Sequence, residues 1–102
     1  MNQKKIEELQ SLEHHLQHLL AQKQMFQLEM NEIDNALGEL EKTDGEVYRI
    51  FSGIMIKSEK KQAFAELGEK KKGIEMRIKS LEKQEELLVR DSEEIRKDLN
   101  LE

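Results

Sequence analysis

Three histidines, His14, His15 and His18, are the residues whose type and spacing come nearest to metal-binding chemistry in this sequence. His14 and His18 are four residues apart, so on a helix both imidazoles lie on one face, a spacing that can hold a zinc ion. A zinc site needs further ligands, and the sequence contains no cysteine. Both histidines also fall at outward positions of the helix predicted for them. We therefore interpret them as solvated surface and predict no metal and no other cofactor.

The charged residues have the spacing of a solvated helix surface rather than that of a catalytic site. The acids at 85–86 and 93–94 and the basic clusters at 57–61 and 70–72 follow helical charge patterns. A contact for an acidic partner is the alternative interpretation of the basic clusters. The sequence has no nucleophile–base constellation and no glycine-rich phosphate loop. We expect no enzymatic activity, no catalytic residue and no use of ATP.

Composition and charge indicate long solvated helices in a single domain, residues 1–102. Charged residues make up 38% of the chain and aromatic residues 4%, and no proline interrupts a helix. Disorder is the other interpretation of so charged a chain, but the strict periodicity of the apolar residues argues against it. The net charge of −5 argues against a nucleic-acid partner. No apolar run exceeds three residues, so we predict no membrane segment, no secretory signal and a cytoplasmic location.

The stretch 46–57 is the one region without a helical pattern. It is rich in β-branched and aromatic residues, and Ser52-Gly53 divides it, which predicts a β-hairpin with strands near 46–51 and 54–57. The turn type is left open. The implied pairs are Phe51 with Ile54, Ile50 with Met55, Arg49 with Ile56, and Tyr48 with Lys57. Both faces are then mainly apolar. Because a lone two-stranded hairpin is marginal in water and has two open edges, the missing strands should come from other chains.

The segments on either side of the hairpin have the heptad pattern of a coiled coil. A first helix is predicted over 3–42 and a second over 59–99. With Leu9 at position a, nine of the ten a and d positions from Leu9 to Leu40 are apolar, as are eight of the eleven from Phe64 to Leu99. These core positions, called the seam, are Leu9, Leu12, Leu16, Leu19, Lys23, Phe26, Met30, Ile33, Leu37 and Leu40, then Phe64, Leu67, Lys71, Ile74, Ile78, Leu81, Glu85, Leu88, Ser92, Ile95 and Leu99. Gly45 is the predicted left-handed cap of the first helix, and Ser58 is the predicted N-cap of the second.

If the chain folds back at the turn, the two seams come into register as an antiparallel coiled coil. Each polar seam residue then faces an apolar one: Lys23 faces Leu81, Lys71 faces Ile33, Glu85 faces Leu19, and Ser92 faces Leu12. No level pairs two polar groups, which favours packing of the two helices within one chain. Toward the termini the second seam includes Glu85 and Ser92, and apolar residues also appear beside it. We therefore predict an exposed apolar interaction surface at that end.

The order helix, hairpin, helix resembles a β-type prefoldin subunit, and two stretches carry the resemblance. Residues 47–50 and 53–57 are similar to the family pattern of Val-Tyr-basic-aliphatic, a glycine turn, then alternating aliphatics and Lys. Residues 77–85 are similar to the family's aliphatic-Lys-x-Leu-Glu-Lys-Gln-Glu stretch. The resemblance covers essentially the whole chain. A single hairpin points to the β class rather than to the α class, which has two.

The resemblance implies a mainly α fold: a long antiparallel two-helix coiled coil joined by one β-hairpin that assembles into an intersubunit β-barrel. It implies a hexamer of two α-type and four β-type subunits that acts as an ATP-independent chaperone, or holdase. The coiled-coil tips would capture unfolded proteins and transfer them to a group II chaperonin. The alternative is a coiled-coil scaffold or spacer that oligomerises through the hairpin and binds no client.

Two sets of residues are expected to carry this function. The client-binding set at the tips is Ile6, Leu9, Leu12, Leu16, Leu19, Leu20, Leu88, Val89, Ile95 and Leu99. The oligomerisation set in the hairpin is Val47, Tyr48, Ile50, Phe51, Ile54, Met55 and Ile56. Members of the first set that lie on the seam could equally be coiled-coil core. Ile6, Leu20 and Val89 lie off the seam, and this position favours a role in client contact.

Overall fold

The computed structural model describes residues 3–99 and contains two long helices joined by an antiparallel hairpin. Helix α1 spans Gln3–Lys42, strand β1 Val47–Phe51, strand β2 Ile54–Ser58 and helix α2 Lys60–Asp98. This arrangement of helices and hairpin confirms the predicted fold class, and the β-barrel between subunits stays a prediction. α1 has the expected bounds, whereas the other elements differ from expectation by one residue at their ends. Within residues 3–99, neither helix has an apolar stretch of the length needed to cross a membrane.

The chain forms two compact units. The hairpin unit, residues 27–76, contains both strands and the adjoining segments of the two helices. The terminal unit, residues 1–26 and 77–102, contains the first part of α1 and the last part of α2. In each unit a segment of α1 packs along a segment of α2 through the seam, as ion pairs between the two helices show.

The predicted seam is the core of both units. All ten seam residues of the first helix and all eleven of the second are buried or half-buried. Ile33, Leu40 and Ile74 are the buried apolar side chains of the hairpin unit, and Leu9, Leu19 and Leu81 are those of the terminal unit. Each such burial contributes roughly 1.5–3 kcal/mol relative to leaving the side chain in water. The heptad pattern therefore fixes which side of each helix faces its partner.

Two polar seam residues, Lys23 and Lys71, also form ion pairs that the seam pattern does not predict. The Nζ of Lys23 lies 3.3 Å from Oε1 of Glu85 and 3.4 Å from Oε2 of Glu82. The predicted level pairs are not contradicted by this contact, because Glu85 belongs to the level next to that of Lys23; the prediction did not include contacts between levels. A lysine stem is long enough to reach a neighbouring level, and pairing with a carboxylate offsets the cost of removing the charge from water. Lys71 likewise reaches Asp34 beside the seam, at 2.7 Å.

Both predicted helix caps are wrong. Ser58 is the last residue of β2 and pairs with Val47, and the carbonyl of Glu59 accepts the first hydrogen bond of α2, from Ala63 N–H at 2.9 Å. Gly45 does not have a positive φ. The end of α1 is instead capped by a residue distant in sequence: the Lys60 ammonium donates to the carbonyl of Glu41 at 3.3 Å and to that of Thr43 at 3.1 Å. A cation suits the negative end of the helix dipole there.

The hairpin has the predicted register. Val47 pairs with Ser58, Tyr48 with Lys57, Arg49 with Ile56, Ile50 with Met55, and Phe51 with Ile54. The φ angles are 50° at Ser52 and 79° at Gly53. Positive values at both central residues define a type I′ turn, whose twist matches that of the flanking strands. The turn therefore sets the register that the sequence pattern predicts.

Candidate interaction surfaces

The hairpin displays apolar side chains on both of its faces. Six of the seven predicted oligomerisation residues are exposed, and Val47 at the base is half-buried. Ile50 is 74% exposed, and Phe51, Ile54 and Met55 are each more than 60% exposed. An apolar surface of this kind is typical of an interaction site.

Both edges of the hairpin are open among the described residues, whose only sheet has two strands. In a hairpin with a two-residue turn, the pair next to the turn exchanges hydrogen bonds, and the pairs then alternate. The backbone groups of Tyr48 and Ile50 on β1, and of Met55 and Lys57 on β2, therefore point away from the partner strand. Each edge offers two N–H donors and two carbonyl acceptors to a further strand.

Polar contacts hold the hairpin near its base and at the middle of β1. Arg49 of β1 forms an ion pair with Glu66 of α2, and Lys57 Nζ lies 3.3 Å from Oε1 of Glu46. The Tyr48 hydroxyl donates a hydrogen bond to Glu46. That hydrogen bond, with the one from Lys57, lowers the pKa of Glu46, and it raises the pKa of Tyr48.

An apolar groove of about 680 Å³ lies between β1 and the adjoining helix segments of the hairpin unit. Ala36 and Leu40 line it from α1, Ala63 and Leu67 from α2, and Phe51 from the strand. The hairpin thus lies over the helices without filling the space against them.

In the terminal unit, the predicted client-binding residues differ in exposure. Leu9 and Leu19 are buried in the seam, and five others are half-buried: Leu12, Leu16, Leu88, Ile95 and Leu99. Ile6, Leu20 and Val89, the three residues off the seam, are exposed by about 40%. Leu87 is also exposed, at 55%.

The three exposed residues lie on one side of the terminal unit. With Leu9 at position a, Ile6 and Leu20 are both at position e, and Val89 is at position e of α2. In antiparallel helices the e positions flank the same side of the seam, as the ion pair between Glu13 and Arg96, also e positions, demonstrates. One heptad further from the termini, the same geometry places Leu20 beside Val89. We call Ile6, Leu20 and Val89 the e side.

An acidic depression lies on the opposite side of the terminal unit. The depression, of about 440 Å³, is lined by Glu8, Asp91 and Glu94, with Leu12 and Ile95 beneath them, and by Ser11. Glu8 and Asp91 occupy g positions, so their two carboxylates flank the seam on this side. Within the described part of the chain, no lysine or arginine lines the depression. The two sides of one coiled-coil segment therefore differ in chemistry.

Comparison with known proteins decides the family. A family model described as Prefoldin subunit matches residues 3–101. The chain belongs to the prefoldin family. Its relatives include the prefoldin subunit beta of Archaeoglobus fulgidus, 38% identical over 81% of this chain and 73% of that protein. That of Thermococcus kodakarensis is 40% identical over 79% of this chain and 71% of that protein.

Solved structures agree with the sequence relatives. The prefoldin beta subunit from Thermococcus strain KS-1 superposes with a TM-score of 0.89 at 36% identity, covering 94% of this chain and 86% of that one. The prefoldin beta2 subunit of the same strain, at 22% identity, shares the fold with a TM-score of 0.77, covering 85% of this chain and 95% of that one. This prefoldin is of the β class, as its single hairpin predicts, and it is a chaperone subunit.

Sequence reasoning missed two features of this prefoldin. The first is the charged cluster of Lys23 with Glu82 and Glu85 at the edge of the seam, which no apolar periodicity reveals. Hydrogen bonding to Glu85 raises the pKa of Lys23 despite the opposing effect of burial. The acidic depression is the second feature, and the signal for it is that Glu8 and Asp91 both occupy g positions at one level of the antiparallel pair. His14 and His18 are exposed, and among residues 3–99 no three His, Cys, Asp or Glu side chains cluster as metal ligands.

Proposed function

We propose that this prefoldin subunit assembles through its hairpin with α-type prefoldin subunits, as four β-type chains with two α-type chains in a hexamer. In that assembly the hairpins add strands to one another and close β-barrels between subunits. The two open edges and the exposure of apolar residues on both faces support this role. A strand from a neighbour would pair the free backbone groups of Tyr48 and Ile50 and remove Ile50 from water.

We further propose that the terminal unit captures unfolded proteins without ATP, in the cytoplasm, and hands them to a group II chaperonin. The exposed e side is the observation that carries this proposal. It presents aliphatic side chains at a fixed spacing beside the seam, where an apolar segment of a non-native chain can bury them. The half-buried client-binding residues on the seam would add contact through the parts of their side chains that are exposed next to the e side.

The test compares suppression of aggregation of a denatured protein by the assembled complex and by its variants. Replacing Ile6, Leu20 and Val89 together with Ser should weaken suppression severalfold, because three apolar contacts are lost. The matched control is Leu87→Ser, which removes an exposed leucine of the same unit that is not on the e side. Helical circular dichroism should be the same in all variants.

Unchanged suppression by the triple variant would contradict the e side as the capture surface. If the native assembly itself fails to suppress aggregation, the scaffold or spacer interpretation is favoured instead. Failure to release bound client to a chaperonin would contradict the proposed transfer alone.

A further inference from the structure

We propose that Arg49 is a positioning residue for assembly: its ion pair with Glu66 holds the hairpin at a defined orientation over the helices of its own unit. The inference rests on the proposed assembly through the hairpin. Arg49 itself need not touch a neighbouring subunit. It determines where the open strand edges point before a neighbour arrives.

Little else fixes the hairpin in place. Of the ten strand residues, only Val47 and Ser58, the pair at the base, are half-buried; the other eight are exposed. Among residues 3–99, the bond between Arg49 and Glu66 is the one hydrogen bond or ion pair that joins a strand side chain to a helix. Beyond its base the hairpin therefore depends on this contact.

The ion pair borders an open space. Arg49 and Glu66 both line the groove of about 680 Å³ between β1 and the helix segments. Because the groove is not filled by side chains, dispersion contacts between Phe51 and the helices are too few to hold the strand down. Without the ion pair, the hairpin would be free to tilt about its base.

The residue types suit positioning rather than stabilisation. Arg49 is the one charged residue on a hairpin face that otherwise carries Val47, Phe51, Ile54 and Ile56, with Ser58 at its end. A guanidinium binds a carboxylate with directional bonds, whereas a lysine acts more as a point charge. Both side chains are close to half exposed, so the pair adds little to the stability of the fold. Fixing the orientation of a binding element beforehand does reduce the entropy lost on association.

The experiment uses the full chain with Arg49→Gln, with the exchanged pair Arg49→Glu/Glu66→Arg, and with Lys57→Gln as control. The control removes the ion pair to Glu46, which does not reach a helix. Two quantities are measured. The first is the association constant, by sedimentation at 50 mM and 1 M salt, with an α-type prefoldin subunit and alone. The second is the distance distribution between spin labels at Met55→Cys and Lys72→Cys in the unassembled chain, which has no native cysteine.

Arg49→Gln should broaden the distance distribution and lower the association constant up to about fivefold at low salt. That difference should shrink at 1 M salt, where a half-exposed ion pair is screened. The exchanged pair should restore both quantities. A distribution as narrow as that of the native chain, or equal broadening by Lys57→Gln, would overturn the inference. If the native chain associates neither with the α-type subunit nor with itself, the proposed assembly is refuted. The distance measurement on the unassembled chain still decides the role of Arg49.

Discussion

Ser52 and Gly53 bear the sharpest backbone requirement among the described residues, since only they have positive φ. The type I′ turn needs that conformation at both positions, and glycine adopts it without a steric penalty. Serine at the first position is less favourable than asparagine, which tolerates the left-handed region better. The identity of these two residues therefore decides how firmly the register of both strands is set.

Gly53→Ala should destabilise the hairpin by about 1 kcal/mol, because alanine in the left-handed conformation is strained even though its Cβ would meet no atom within 4 Å. Amide exchange of the strand residues should accelerate correspondingly. Gly73→Ala is the matched control, and its expected effect on stability has the opposite sign. Gly73 lies within α2, where alanine is favoured by about 1 kcal/mol, and its Cβ would also meet open space. Slower strand exchange in Gly53→Ala would contradict the type I′ turn.

At the scale of the elements, periodicity predicted more than local signals did. The apolar heptads identified every seam residue, because that pattern is repeated along both helices. The single Ser-Gly turn gave all four predicted strand pairs, because a two-residue turn fixes the register of the strands on either side. The caps were predicted from single residues and were wrong, since Lys60, distant in sequence from the end of α1, caps it instead. The pairing of Lys23 with Glu85 was missed for a similar reason: side-chain length, not spacing, brings the two charges together.

Ser92 is the weakest point of the α2 seam, and its replacement should stabilise the protein. It is 6% exposed, and its Oγ has no hydrogen-bond partner. Ser92→Ala removes a buried unsatisfied hydroxyl and should raise the free energy of unfolding by about 1–2 kcal/mol, helix propensity included. The exposed Ser80 of the same helix provides the control. Ser80→Ala should gain at most the propensity term, about 0.5 kcal/mol, because it also removes the exposed hydrogen bond that the Ser80 hydroxyl accepts from Gln84 at 3.5 Å. Equal gains in denaturant unfolding would show that the Ser92 hydroxyl carries no penalty.

At the scale of the whole molecule, each unit combines a well-defined seam with apolar side chains that the chain itself leaves in water. The hairpin surface was predictable, because two apolar faces on two strands cannot be covered by a chain with no third strand pattern. The e side was only partly predictable. The sequence placed Ile6, Leu20 and Val89 off the seam, but the ion pair between Glu13 and Arg96 was needed to show that their positions flank one side.

A single charge in the hairpin should separate folding from assembly. Ile50 is 74% exposed in the chain, so Ile50→Lys should change the unfolding free energy by less than about 0.5 kcal/mol. In the proposed assembly, the same change forfeits about 1.5–3 kcal/mol of burial for each chain and leaves an unpaired charge in an apolar interface. Sedimentation with an α-type partner should therefore show subunits rather than a complex, with unchanged helical circular dichroism. Leu28→Lys, at a helix position 64% exposed in the same unit, should assemble normally. Assembly of Ile50→Lys at native affinity would mean that the apolar faces of the hairpin are not the surface that joins the subunits.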